Sequence, residues 1–176
     1  MTKTINAALA ALLALVLIAV VVVLVGGNKV LPWTTHAQRQ IDRYGDVQQA
    51  ASRSVLAFLD VDYQDMDARI KKVESLATGT FKTQYAATST DLKAAAQQAQ
   101  AKSTGRVRYV GVNKVSGSTA TALVAADVVV ANTSTAQQKA TKTCPHAGAR
   151  CDQYRFVVTL TKTGSGWKMS NLAGVS

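Results

Sequence analysis

Four aspartates crowd one short stretch, FLDVDYQDMDARIKK from Phe58 to Lys72, in a chain that has only ten acidic residues. Carboxylates this dense, Asp60, Asp62, Asp65 and Asp67, could ligate calcium or share acid and base work. A calcium loop of the EF-hand type wants oxygen ligands at alternate early positions, a glycine at the sixth and a glutamate at the twelfth. Counted from Asp60, the sixth residue is Asp65 and the twelfth is Lys71, so both essential residues are missing. Acid and base work needs a pocket that drives two carboxyl pKa values apart, whereas here the aspartates fall between two helical patterns. The spacing instead predicts capping. Asp62 is placed to N-cap the second helix and satisfy backbone N–H groups that lack partners in its first turn. Asp65 and Asp67 would oppose the helix dipole from that first turn, each four residues ahead of a base, Arg69 and Lys71.

The remaining chemistry-bearing side chains are few. Cys144 and Cys151 bracket the segment CPHAGARC, with His146 between them. A zinc site would want paired CxxC spacing and a fourth ligand, both absent here. A cysteine nucleophile would need an activating histidine in an electropositive pocket, which a neighbour in the same polar loop does not provide. A disulfide closing that loop is the preferred reading, and it calls for an oxidising compartment. The two histidines, His36 and His146, are the only ones, and no GxSxG, Walker-type or GxGxxG stretch occurs. The expectation is a protein that is not an enzyme and has no cofactor and no resident metal.

Ile5 to Val25 form twenty-one residues without a charge, and about 20 apolar residues cross a bilayer core as helix. A secretory signal has a shorter apolar region closed by a small-x-small site. The nearest such site, Thr35-His36-Ala37, lies ten residues beyond the run. An uncleaved transmembrane helix over residues 5–26 is therefore expected, after a cytoplasmic stub of residues 1–4 and before a juxtamembrane linker of residues 27–36. Lys29 and Trp33 suit the headgroup interface. Flanking charges alone leave the orientation open, and the cysteine pair places the rest of the chain outside the cytoplasm.

The formal charge of +10 is uneven. Residues 28–100 hold 9 bases and 8 acids, whereas residues 101–176 hold 10 bases and 2 acids. A field of this sign attracts anionic headgroups or an acidic partner, or it simply keeps the surface solvated. Nucleic acid is not expected as a partner, because the interleaving of aromatic and basic residues found in binding modules is missing.

Periodicity places these residues on elements. Ile41, Tyr44, Ala51, Val55 and Phe58 recur at helical spacing and predict a helix over 37–59. Met66, Ile70, Val73 and Ala77 predict a second helix closed by Gly79, and a third starts at Thr80 and carries Phe81, Tyr85, Leu92, Ala96 and Ala99. Beyond Ser103 the period becomes two: GRVRYVGVNKV, TATALVAADVVVANTST, YRFVVTLTKT and WKMSNLAGV are read as four strands joined by turns, with a polar loop from Ala136 to Cys151. Ala122, Val124, Ala126, Val128 and Val130 are expected on one face. Helices grouped first and strands second predict an α+β fold with the helices on one face of a curved antiparallel sheet.

The order of these parts, with AASRSVLAFLDVDYQDMDARIKKVESLATGTFKTQY, VRYVGV and a closing YRFVVTLTKTGSGWKMSNL, resembles the Mce-associated membrane proteins of mycobacteria and related actinobacteria over residues 5–175. The most telling pieces are D-Y-x-x-M-D-A, the TGTF one helix later, and the terminal GWKMSNL. That resemblance implies a cone-shaped, nuclear transport factor 2-like domain over residues 37–176, about three helices on a four-stranded sheet. It also implies an accessory or stabilising subunit of an Mce-type lipid importer for fatty acids or sterols, with permease and Mce proteins as partners. The apolar run and the cysteine pair together predict a plasma-membrane protein with its N-terminus cytoplasmic and its domain extracytoplasmic. Two other expectations stand beside this one. The cone could bind a lipid itself, with Tyr154, Phe156, Trp167 and Met169 as candidate pocket lining. Alternatively, the chain could be a VirB-like scaffold of a secretion machine.

Overall fold

The computed structural model describes residues 16–18, 20–21 and 36–175. The expected transmembrane helix lies largely outside these residues, and the interface pair Lys29 and Trp33 lies wholly outside them. Residues 16–18 and 20–21 are helical and exposed, and among the described residues no helix is long and apolar enough to cross a membrane. The chain divides into two units, Met1–Gln40 and Ile41–Ser176.

Helices come first in the second unit. Helix α1 spans His36–Leu59 and β1 is the two-residue strand Val61–Asp62. Helices α2, Met66–Leu76, and α3, Gly79–Ala99, follow. The strands β2 Lys102–Ser116, β3 Thr119–Ala131, β4 Arg150–Thr163 and β5 Gly166–Gly174 complete the fold. The architecture is α+β, and the sheet has five strands in the order β1-β2-β3-β4-β5, each antiparallel to its neighbour. The fifth strand corrects the expected count of four. Val61 and Asp62 pair with Ser103 and Lys102, and two residues between helices are too few to show a period of two in the sequence.

Alternation along β3 builds the core. Ala120, Ala122, Val124, Ala126 and Val128 are buried, and with Phe156, Val158, Leu160, Trp167 and Met169 they meet Val47, Ala50, Ala51, Val55 and Leu59 of α1. The apolar stripe of α1 departs from the expected one at its two ends: Ala51 and Val55 are buried as expected, with Val47 and Ala50 beside them, while Ile41 and Phe58 are exposed. Phe58 joins a ring cluster instead, edge-on to Phe156 with centroids 6.3 Å apart and tilted against Phe81 and Tyr85. Gly105 lets α1 approach β2, because a Cβ there would lie 2.9 Å from the Cβ of Leu59. Register shifts between Val107 and Tyr109 and between Val112 and Lys114 mark bulges that bend β2.

Helix α2 stops short of the expected end. Ala77 is in extended backbone and bridges to Met169, and the Thr78 N–H donates to the Met169 carbonyl at 2.8 Å. Pairing with β5 thus replaces the last helical turn. Gly79, at φ 60°, opens α3 instead of capping α2.

Candidate functional site

The aspartate junction is held together by ion pairs. Asp60 pairs with Arg69, Asp62 lies 3.6 Å from the Lys102 ammonium, and Asp67 accepts from Lys93 of α3 at 2.7 Å. Asp65, and not Asp62, is the N-cap of α2, and its side chain makes no capping hydrogen bond. Asp62 belongs to β1, where its Oδ1 accepts the Gln64 N–H at 3.1 Å and turns the chain. The capping role predicted for Asp62 fails because pairing of β1 with β2 pushes the helix start three residues on. The expected i,i+4 partners also change: Arg69 turns back to Asp60, and Asp67 reaches across to another helix rather than to Lys71. The Lys93 ammonium holds the Asp67 carboxyl below its ordinary value, first by hydrogen bond and then by charge. Among the described residues no group of carboxylate, histidine or cysteine side chains is arranged to hold a metal ion.

Beside this junction, α1, α2 and β2 enclose a cleft of about 610 Å³ lined by Arg53, Asp60, Asp65, Arg69, Lys72 and Gly105 among others. The Nε of Arg69 is buried there without a hydrogen-bond partner among the described groups. The lining carries fixed charge of both signs, and neither His36 nor His146 is among its residues.

Cys144 and Cys151 are bonded, with 5.4 Å between their Cα atoms. They close the end of a loop that is more ordered than its polarity suggests. The Asn132 side-chain oxygen accepts from the backbone N–H groups of Ser134 and Thr135, and the buried Thr135 hydroxyl donates to the Gly148 carbonyl at 2.8 Å. The signal for this was present as an Asn-x-x-Thr turn at the end of β3, a residue type that bonds its own backbone two or three positions on.

The four candidate pocket residues do not form one lining. Met169 and Trp167 are buried in the core, and Lys162 sits over the indole at 5.3 Å. Tyr154 and Phe156 stack with centroids 5.8 Å apart, Tyr154 exposed and Phe156 buried. Side chains of the sheet's two faces alternate, and residues that alternate as apolar on the helix side are taken up by α1 instead of leaving a cavity. Of the four, only Phe156 borders an apolar hollow, a shallow depression of about 250 Å³ lined also by Tyr109, Gly111, Leu123, Val124, Ala125, Arg155 and Val175. Sequence reasoning missed it because Tyr109 and Leu123 belong to two different strands and Val175 follows the end of a third, and only the sheet reveals their register.

Residues 6–176 match the family described as "Uncharacterized protein Rv1363c/MT1408-like". The chain belongs to this Rv1363c/MT1408-like family. The match takes in nearly all of the apolar run and the whole α+β unit. Among curated proteins none matches. Solved structures resemble this Rv1363c/MT1408-like chain in fold. An IcmL-like type IV secretion system protein from Legionella pneumophila superposes with a TM-score of 0.56 at 13% identity, covering 75% of this chain and 93% of that one. CagV, a VirB8 homolog from Helicobacter pylori, gives 0.55 at 9% identity, with 75% and 98% covered. The periplasmic domain of DotI gives 0.51 at 12% identity, with 73% and 92% covered. At such identities the likeness is one of fold, and fold by itself carries no activity.

Proposed function

We propose that this member of the Rv1363c/MT1408-like family is a non-enzymatic accessory subunit of an Mce-type lipid import complex. In this reading residues 5–26 anchor it once in the plasma membrane, residues 1–4 stay in the cytoplasm, and a nuclear transport factor 2-like domain over residues 37–176 braces the transporter from outside. The observation that carries the proposal is the family match from residue 6 to residue 176, which takes in the apolar run and the folded unit together. The cysteine pair supports an extracytoplasmic domain. The aspartate junction, whose carboxylates are engaged by Arg69, Lys93 and Lys102, supports a structural role for the motif that carries the Mce resemblance. Small residues within AALAALLALVLIAVVVVL would let permease helices approach closely.

Affinity purification of the full chain from native membranes in mild detergent tests it. Permease and Mce subunits are expected in the eluate. Their repeated absence would remove the proposal's main support. The secretion-scaffold reading is favoured by the fold likeness to IcmL-like and VirB8-type proteins, and secretion components in the same eluate would select it. A lipid held inside the domain finds less support, since Trp167 and Met169 fill the core.

A further inference from the structure

The face of the sheet turned away from the helices combines exposed apolar side chains with cations. Residues opposite each other on neighbouring strands share a face. The even positions of β3 from Ala120 to Val128 are buried, so its odd positions and their partners form the outer face. Across that face Tyr109 pairs with Ala125 and Ala125 with Arg155. One row on, Gly111 pairs with Leu123, Leu123 with Val157 and Val157 with Ala173. Tyr109 is 78% and Leu123 51% exposed, and they border the shallow depression of about 250 Å³.

Cations surround this strip on the same registers: Arg106 opposite Asp127, Lys114 opposite Thr121, Arg155 opposite Ala125 and Lys168 opposite Thr161. The carboxylate of this face, Asp127, is already taken by Arg108 at 2.5 Å. Among the described residues no ion pair engages Arg106, Lys114, Arg155 or Lys168. A second copy of the chain seated here would set cation against cation. The complement must be anionic at its surface and apolar beneath, which is the make-up of an acidic bilayer interface.

Tethering favours that occupant over an acidic protein. The uncharged run from Ile5 to Val25 lies close ahead of α1 in the chain. Within the second unit, Asp46 in the first half of α1 lies at the hairpin end of the sheet, 3.9 Å from Lys162, which donates its backbone N–H to the Ser118 carbonyl. Lys114 and Lys168 stand near that same end, beside the turns at Gly117 and Gly166. A tether of this kind turns docking into an intramolecular event at high effective concentration.

We propose that the outer face of the sheet docks on an anionic lipid headgroup surface, with Tyr109 and Leu123 entering the interface and Arg106, Arg155, Lys114 and Lys168 meeting phosphate. It rests on the membrane-anchored reading above. The test uses the full chain reconstituted into vesicles of neutral phosphatidylcholine, with or without phosphatidylglycerol, and acyl chains brominated as quenchers. Tyr109→Trp is compared with the parent chain, and folding of each variant is checked by circular dichroism. The added indole is expected to be quenched in phosphatidylglycerol vesicles and not in neutral ones, and quenching is lost at high salt and in R106E/R155E. A chain that floats with the vesicles but shows no lipid-charge-dependent quenching overturns the docking face while leaving the anchor intact, and it directs the search to an acidic protein surface. A chain that does not float overturns the anchor and the tether argument with it.

Discussion

At the scale of single residues, the aspartate junction shows how a dense carboxylate cluster can be spent on structure. Each of Asp60, Asp62 and Asp67 has a cation, and each pair ties a different neighbour to the junction: α2, β2 and α3. Asp67 offers a direct readout. Its carboxyl is held below the ordinary value of 3.8, chiefly by the hydrogen bond from Lys93. A depressed folded-state value means the pair stabilises above that ordinary value, and the contribution disappears as pH falls through the lower, folded-state value. Carboxyl-resolved NMR titration is expected to show an Asp67 midpoint below that of an unpaired aspartate, and K93A should bring it back up. An unchanged midpoint in K93A would show that the pair is a solvent-screened contact without energetic coupling. Gly105 makes a second residue-level case. Gly105→Ala places a methyl group 2.9 Å from the Cβ of Leu59, where neither backbone can give way cheaply. A loss of about 1 to 3 kcal/mol is expected, measured by chemical denaturation.

At the scale of elements, pairing between distant segments decided where helices start and stop. The stretch Val61–Asp62 becomes a strand because β2 offers it a partner, and Ala77–Thr78 leave the helix because β5 does. Local propensity was outweighed in both places by a pairing with a segment more than thirty residues away. Strand positions were legible, by contrast, since alternation between apolar and polar residues is itself the imprint of a sheet with one covered face. The loop between β3 and β4 combines both kinds of information. Its cysteine spacing announced a bridge, while the anchoring of Thr135 by Asn132 and Gly148 needed the folded loop. Replacing both cysteines, C144S/C151S, is expected to cost about 2 kcal/mol of stability, read from denaturant midpoints at unchanged slope. A larger change in slope would mean that the loop orders more of the sheet than its own residues.

At the scale of the whole molecule, the core falls within one unit of the chain. The buried cluster joining α1 to the sheet uses residues from Val47 to Met169, all inside the unit Ile41–Ser176. Residues 41–176 expressed without the apolar run are therefore expected to unfold in one cooperative transition, with coincident far-ultraviolet and tryptophan signals. Two separated transitions would show that α1 needs the preceding segment to dock. The uneven charge seen in the sequence also acquires a location here, because bases of the second half, including Arg106, Lys114, Arg155 and Lys168, come to one face of the sheet.

Composition and periodicity by themselves determined the class of the fold, the order of helices and strands, the apolar run and the cysteine bridge, because each depends on residues near one another in the chain. The tertiary structure decided which aspartate caps, which turn of α1 faces the core, and that Trp167 and Met169 fill that core. It also decided that Tyr109, Leu123 and Arg155 meet on an open face. Those outcomes depend on register between segments far apart in sequence, and a shift of one residue in any strand would exchange its buried and exposed faces.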